Sequence, residues 1–456
     1  MEDQTDKESF SEILKKLEEK MLYYESKASE IKKKQIINRI NLEGFKEIQR
    51  KYTQDHSLCK KYLEVEGKWR LDVQYGPQFE MPLRTERAGE ILVQTDEIIM
   101  LGGGGTAIHP ISLCMAGFGG CFTAAFAKWA AMQEIELKIL KIKARADIDL
   151  TSSFGIEDGV PMIDSYHLDL FIESDTNMEK LREILELTKK RCFCYYCAAT
   201  PIFPNVILKK EYIIDESQSL KLEDRKSDAK SQKLNRINIE GFKNIQNEYS
   251  KNRSLCKKVL DIEGTWRLDV EYGPQYQTTL STERAGDILI QTDETIILGG
   301  GGTSFHPVHL CMAGLAGNFC AGYAKWAALE GIELRSMKIK VKQYIDLTTG
   351  FGIEDNVPMI DNYQIELIVD SDASVEKLLE ILDITKKRCF CYYCLITPTI
   401  PIITIHKIIS NKDDKAYQIL KKEVVSEMNP LLLTDNQKNL LNSIFKKRTL
   451  MKMRKI

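Results

Sequence analysis

The chain has 456 residues, enough for two or three domains and a large core. Its 64 Lys and Arg against 66 Asp and Glu leave a net charge of −2, which argues against a dedicated nucleic-acid surface. No run of eighteen apolar residues is found, so no membrane span is read, and the acidic, polar start MEDQTDKESF does not suit a signal peptide; a soluble, cytoplasmic protein is expected. In that setting twelve cysteines serve as small buried apolar groups, metal ligands or redox thiols rather than structural disulfides.

Residues 1–35 read as a helix. Ser9 and Glu12 suit a capping box, and Phe10, Leu14, Leu17, Met21, Tyr24, Ala28 and Ile31 recur in steps of four and three. The stripe fits either docking on a partner or on the chain's own body, or a plain amphipathic surface helix.

The rest of the chain is organised by a duplication at a constant offset of 197 residues. NRINLEGFKEIQ at Asn38 returns as NRINIEGFKNIQ at Asn235. LGGGGTAIHPISLCMAG at Leu101 returns as LGGGGTSFHPVHLCMAG at Leu298, and TKKRCFCYYC at Thr188 returns unchanged at Thr385. Two domains over 36–212 and 233–409 follow, joined by a polar linker over 213–232 and trailed by a helical tail over 410–456. In the tail, Thr434 and Gln437 suit a second capping box and KKRTLMKMRKI makes a basic end.

Each unit reads as helix (Leu42–Tyr52), strands KWRLDVQYG and EILVQTDEIIML, a glycine turn, a long helix, strands LKILKIKARADIDL and YHLDLFIES, a helix over Met178–Thr188 and a closing strand PIFPNVIL. That order predicts an α+β domain with helices on an antiparallel sheet. The long helix, HPISLCMAGFGGCFTAAFAKWAAM, is apolar all round and belongs in a core. Gly117, Gly119 and Gly120 each weaken it by roughly 1 kcal/mol relative to Ala, which predicts close approach by another backbone. Cys121 then lies in a confined apolar site. LGGGGT lacks the G-K-[ST] ending of a phosphate loop and is read as a tight turn. His109 and His306 are read as caps or as linings of a site entrance; Trp129 and Trp326 are read as core.

Around Cys121 the sequence resembles the OsmC/Ohr family of thiol-dependent hydroperoxide reductases. Pro110, Leu113, Gly117 and Cys121 fall on the family pattern of a glycine-rich turn, a Pro, a Leu and a cysteine within an Ala/Gly-rich helix. NRINLEGFKEIQ and DLTSSFGIED are also similar to longer members. The resemblance implies a two-cysteine peroxidase in which the Cys121 thiolate attacks an organic hydroperoxide and a resolving cysteine closes a disulfide, later reduced by an external thiol. Cys194 is favoured as the resolving residue by its spacing to Thr200, while Cys192 fits the helix register better. It also implies two intertwined copies, here supplied by one chain as an intrachain pseudo-dimer, with further self-association left open. No cofactor and no metal are expected, nor a nucleic-acid partner or a membrane span.

The sequence departs from the family in three places. Ile111 and Val308 replace the glutamate after the Pro, so another group must activate Cys121. Arg84 and Arg87 are candidates; Arg87 recurs as Arg284, whereas Arg84 becomes Ser281. Asn318 stands opposite Cys121, and Cys320, about 200° further round the helix, faces away, so the second unit is expected to be inactive. The cysteines of CFCYYC recur as Cys389, Cys391 and Cys394 even so. That repetition keeps a second reading open, a non-catalytic sensing or metal-binding protein with zinc or iron–sulfur at these clusters. Cys114 and Cys311 lie two turns, about 10 Å, from positions 121 and 318, too far for a disulfide, and are read as core. Cys59 and Cys256 are read as packing residues.

Overall fold

Neither copy completes either of the two large sheets from its own strands, although each forms a two-stranded sheet of its own, pairing Ile36–Ile37 with Ile40–Asn41 and Lys233–Leu234 with Ile237–Asn238. The computed structural model describes residues 36–211, 233–409 and, as backbone, 418–425. The helix expected at the N-terminus, the whole of the linker, and the capping box and basic end of the tail lie outside the described residues. The first unit runs β1 (Ile36–Ile37), β2 (Ile40–Asn41), α1 (Leu42–Gln54), β3 (Lys60–Trp69), β4 (Phe79–Arg84), β5 (Glu90–Thr95), α2 (Pro110–Met132), β6 (Ile139–Asp149), β7 (Ile163–Glu173), α3 (Met178–Arg191), α4 (Phe193–Ala199) and β8 (Asn205–Lys210). The second repeats it as β9 (Lys233–Leu234), β10 (Ile237–Asn238), α5 (Ile239–Lys251), β11 (Lys257–Trp266), β12 (Tyr276–Ser281), β13 (Asp287–Thr292), α6 (Pro307–Leu329), β14 (Ser336–Asp346), β15 (Ile360–Asp370), α7 (Val375–Arg388), α8 (Phe390–Ile396) and β16 (Ile402–Ile409), with β17 (Gln418–Val425) beyond.

One sheet has the order β13-β12-β11-β6-β7-β16-β17, the other β5-β4-β3-β14-β15-β8. Each therefore joins the early strands of one copy to the middle strands of the other. The closing strands also cross over: β8 pairs parallel with β15, and β16 pairs parallel with β7. The fold is the expected pair of α+β domains in an intrachain pseudo-dimer, but the sheets are mixed rather than antiparallel. Lys340–Glu66 and Lys342–Glu64 ion pairs line the solvent face of the β3–β14 seam.

Several predicted boundaries move. The strand at KWRLDVQYG shifts earlier, to Lys60–Trp69, because Gly76 in the left-handed region and Pro77 turn the chain after it. Phe79–Arg84 is an additional strand. The cysteine cluster forms a helix of its own, and PIFP precedes β8 rather than joining it. The tail expected to be helical contributes β17, which pairs antiparallel with the edge of β16; an open strand edge presents unpaired backbone groups that a passing segment satisfies.

The two long helices cross at the centre. Pro110 and Pro307 open them at the first turn, where the missing N–H is harmless. A Cβ on Gly117 would lie 2.7 Å from both Cys311 Sγ and the Pro307 carbonyl; one on Gly314 would lie 2.6 Å from Cys114 Sγ and the Pro110 carbonyl. The helices touch backbone to backbone, which is why they keep glycine against its poor helix propensity. By length and composition α2 could cross a membrane, yet 89 % of its most apolar window is buried inside the fold.

The repeated NRIN segments strap the copies together. Asn38 sits at φ 52°, donates to the Ile135 carbonyl at 2.9 Å and accepts from the Leu137 N–H at 2.8 Å. Its own carbonyl accepts from the Trp266 indole of the other copy at 2.9 Å. Arg39 reaches the Gly273 and Pro274 carbonyls, and Arg236 makes the mirror contacts with Gly76 and Pro77.

Candidate functional site

The site is built where α2 meets the α3–α4 junction. Cys192 closes α3 and opens α4 in extended conformation, φ −93° and ψ 123°, so its side chain leaves the helical direction. Its sulfur lies 3.5 Å from Cys121 Sγ. Cys194, in the first turn of α4, lies 3.5 Å from Cys311 Sγ of the other copy. Cys121, Cys192 and Cys194 are 6, 1 and 4 % exposed.

The S–H groups of Cys192 and Cys194 pull the Cys121 thiol well below the ordinary cysteine range, against burial and the Glu294 carboxylate, which push it up. Burial and the bond to Cys121 push Cys192 well up; for Cys194 the bonds to Cys121 and Cys311 act first, then burial. The arrangement favours Cys121 as the member of the three that ionises.

The second copy supplies the charged wall. His306 Nε2 stands 3.5 Å from Glu294 Oε1, both nearly fully buried. His306 Nδ1 accepts from the Val308 N–H, so Nε2 carries the proton in the neutral ring. Burial pushes His306 down, but Glu294 outweighs it and raises the value; burial pushes Glu294 up, but His306 and Lys128 hold it below its usual range. Lys128 is buried on α2, two turns past Cys121. The histidine thus both caps α6 and lines the site.

Of the residues singled out from sequence, Cys121, Cys192 and Cys194 come together. Arg87 does not join them. It is exposed in the β4–β5 hairpin, where its backbone N–H donates to the Gly302 carbonyl at 3.0 Å. Arg284 makes the mirror contact with Gly105, so the residue recurs with a docking hairpin rather than with a thiol. Arg84 pairs at the surface with Glu90. The charged groups that act on Cys121 are Glu294 and His306. Glu294 escaped sequence reasoning, although QTDE recurs unchanged at Gln94 and Gln291 just before each glycine turn. The turn itself is closed by Asp96, whose carboxylate accepts from the Gly104 and Thr106 N–H groups, leaving no cradle for phosphate.

The mirror site holds Asn318. Its Oδ1 accepts from Cys389 Sγ and from the Cys391 N–H, each at 3.1 Å, and its Nδ2 donates to Glu97 Oε1 at 3.3 Å. His109 faces Glu97 at 3.4 Å. Cys320 is fully buried, and burial, with the charge of Cys389 second, pushes its thiol well up.

Between the two sites lies an apolar cavity of about 170 Å³, lined by Met115, Phe118, Met312 and Leu315 and by Cys114, Cys194, Cys197, Cys311, Cys391 and Cys394. Among the described residues no group of three His, Cys, Asp or Glu side chains is arranged to hold a metal ion.

The family model described as OsmC-like protein matches residues 103–206 and again residues 300–404. A search of curated proteins finds no match. Both matched spans hold a central helix, the two strands after it and the helix pair that carries the cysteines. Each of the two units therefore carries an OsmC-like domain.

Proposed function

We propose that the protein is a thiol-dependent peroxidase that reduces organic hydroperoxides at one site per chain, with Cys121 as the attacking residue and Cys192 as the resolving one. The observation that carries this reading is the 3.5 Å between the two sulfurs, in a buried site that favours the Cys121 thiolate. The family's link to peroxide and oxidative-stress resistance supports it. The Cys121 thiolate attacks one peroxide oxygen, the O–O bond breaks and Cys121 becomes a sulfenic acid. The departing alkoxide takes the Cys192 proton. Cys192, now a thiolate, attacks the sulfenic sulfur and expels hydroxide, closing the disulfide. An external thiol returns both to the reduced state.

Asn318 cannot take the first step, so the second unit serves the first instead: it contributes Glu294 and His306. The apolar cavity suits a substrate with a hydrocarbon tail. A cytoplasmic, reducing location suits chemistry that begins from free thiols.

The test is a single turnover. Reduced protein receives one equivalent of cumene hydroperoxide, and peptide mapping locates the bond formed. A Cys121–Cys192 disulfide, absent in Cys121→Ser, is expected. Thiol loss no faster than in Cys121→Ser would overturn the reading.

A further inference from the structure

The cysteines beyond the reactive pair form a path through the first turn of α4. It runs from Cys121 to Cys192 at 3.5 Å, along α4 to Cys194 two residues on, and from Cys194 to Cys311 at 3.5 Å. Its last member belongs to the other copy. Exposure changes along it: Cys192, Cys121 and Cys194 are buried, whereas Cys311 is half-buried and faces the central cavity. An external reductant reaches the inner disulfide poorly and the outer end more readily.

We propose that this path is a sulfur relay, which passes the disulfide formed at Cys121 outward to a Cys194–Cys311 pair bridging the two units, where an external dithiol reduces it. The proposal rests on the peroxidase reading above. In the first exchange the Cys194 sulfur attacks Cys121 of the Cys121–Cys192 disulfide. A Cys121–Cys194 bond forms, the Cys121–Cys192 bond breaks, and Cys192 leaves as a thiolate that takes the Cys194 proton. In the second, Cys311 attacks Cys194. The Cys194–Cys311 bond forms, the Cys121–Cys194 bond breaks and Cys121 leaves as a thiolate facing the Cys192 thiol, while the Cys311 proton passes to solvent. No electrons enter or leave in either step. Each new bond needs sulfurs at contact distance to close to about 2.05 Å.

Two features of the fold favour the direction. The Cys121 thiolate helps to keep Cys194 protonated, and its charge disappears once Cys121 is oxidised, which makes Cys194 a better nucleophile when there is a disulfide to receive; Cys311 and burial act on Cys194 throughout. The glycine crossing of α2 and α6 brings Cys311 into reach: its thiol packs at Gly117 and donates to the Cys114 carbonyl at 3.5 Å.

The molecule contains its own control. Cys114 and Cys391 form the mirror pair at 3.6 Å, but Asn318 occupies the position that would feed it. Under the relay this pair stays reduced in a first turnover.

The test is a quenched time course on the reduced, full-length chain with one equivalent of cumene hydroperoxide, each sample mapped for disulfides. The expected sequence is Cys121–Cys192 first, decaying as Cys194–Cys311 rises, with Cys114 and Cys391 still reduced. In Cys311→Ser the Cys121–Cys192 bond should persist; in Cys121→Ser the Cys194–Cys311 bond should not form. The relay is overturned if wild type keeps Cys121–Cys192 with Cys194 and Cys311 reduced, a result that leaves the peroxidase reading standing. It is also overturned if Cys194–Cys311 forms as fast in Cys121→Ser, or together with Cys114–Cys391, since both mean direct oxidation. Absence of any Cys121 oxidation removes the peroxidase reading and the relay together, and is recognised by the missing first disulfide.

Discussion

Cys121 and Cys192 are 71 residues apart in sequence with sulfurs 3.5 Å apart, and the same separation of 71 joins Asn318 to Cys389 through a 3.1 Å hydrogen bond. One geometry thus holds a thiol pair in one copy and an amide–thiol pair in the other. The amide keeps the second site folded by satisfying a backbone N–H and a carboxylate there.

Replacing that amide tests the comparison. Asn318→Cys is expected to add a second peroxide-sensitive thiol next to Cys389, raising the number of thiols lost in the fast phase. It also removes the bonds to the Cys391 N–H and Glu97, so stability falls by about 1–3 kcal/mol. Counting thiols after rapid mixing, beside a denaturant titration, checks both.

Removing the resolving thiol separates the two chemical steps. In Cys192→Ala a sulfenic acid should accumulate on Cys121 and be trapped by dimedone, whereas wild type passes through it to the disulfide. Dimedone labelling of both proteins to the same extent would mean that Cys192 does not resolve.

The same variant reports on acidity. Cys121 is held below its unfolded value of about 8.5, so its contribution to stability is present above that pH and is lost as pH falls through the lowered folded value. His306 has the opposite sign: raised above about 6.5, it stabilises fully below that pH and loses the effect as pH rises through its folded value. Alkylation of Cys121 by iodoacetamide is therefore expected to stay fast well below pH 8.5, and its inflection should move upward in Cys192→Ala, which lacks the first S–H donor. An unmoved inflection would contradict the assignment.

The helix crossing predicts a sign that propensity alone reverses. On an isolated helix Gly117→Ala would stabilise by about 1 kcal/mol. Here its Cβ meets the Pro307 carbonyl at 2.7 Å, and the overpacking should destabilise by about 1–3 kcal/mol. A lower thermal midpoint is expected; a higher one would mean that the helices do not approach so closely.

Asn38→Ala removes a side chain that fixes a left-handed residue and two buried backbone groups. Leaving the Leu137 N–H and the Ile135 carbonyl unpaired should lower stability by about 2–3 kcal/mol. Asn235→Ala should behave alike, because Asn235 makes the mirror bonds to Ile332 and Leu334. Chemical denaturation of the two variants checks the symmetry.

The sequence by itself determined the repeat, the OsmC-like domain, the central helix with its buried cysteine, and the loss of that cysteine in the second copy. These rest on local patterns: apolar residues around a whole helix, proline at its first turn, and identical segments at one offset. The cysteine cluster was legible, but not which member faces Cys121, because that depends on the break between α3 and α4 at Cys192. What only the tertiary structure decided is everything that crosses between the copies. Strand exchange brings Glu294 and His306 to a cysteine of the other unit and sends Arg87 to a surface hairpin. It also sets Cys311, two turns from position 318 along its own helix, against Cys194. Helix and strand periodicity fix which face of an element is buried, and they carry no information about which copy of a repeated element it is buried against.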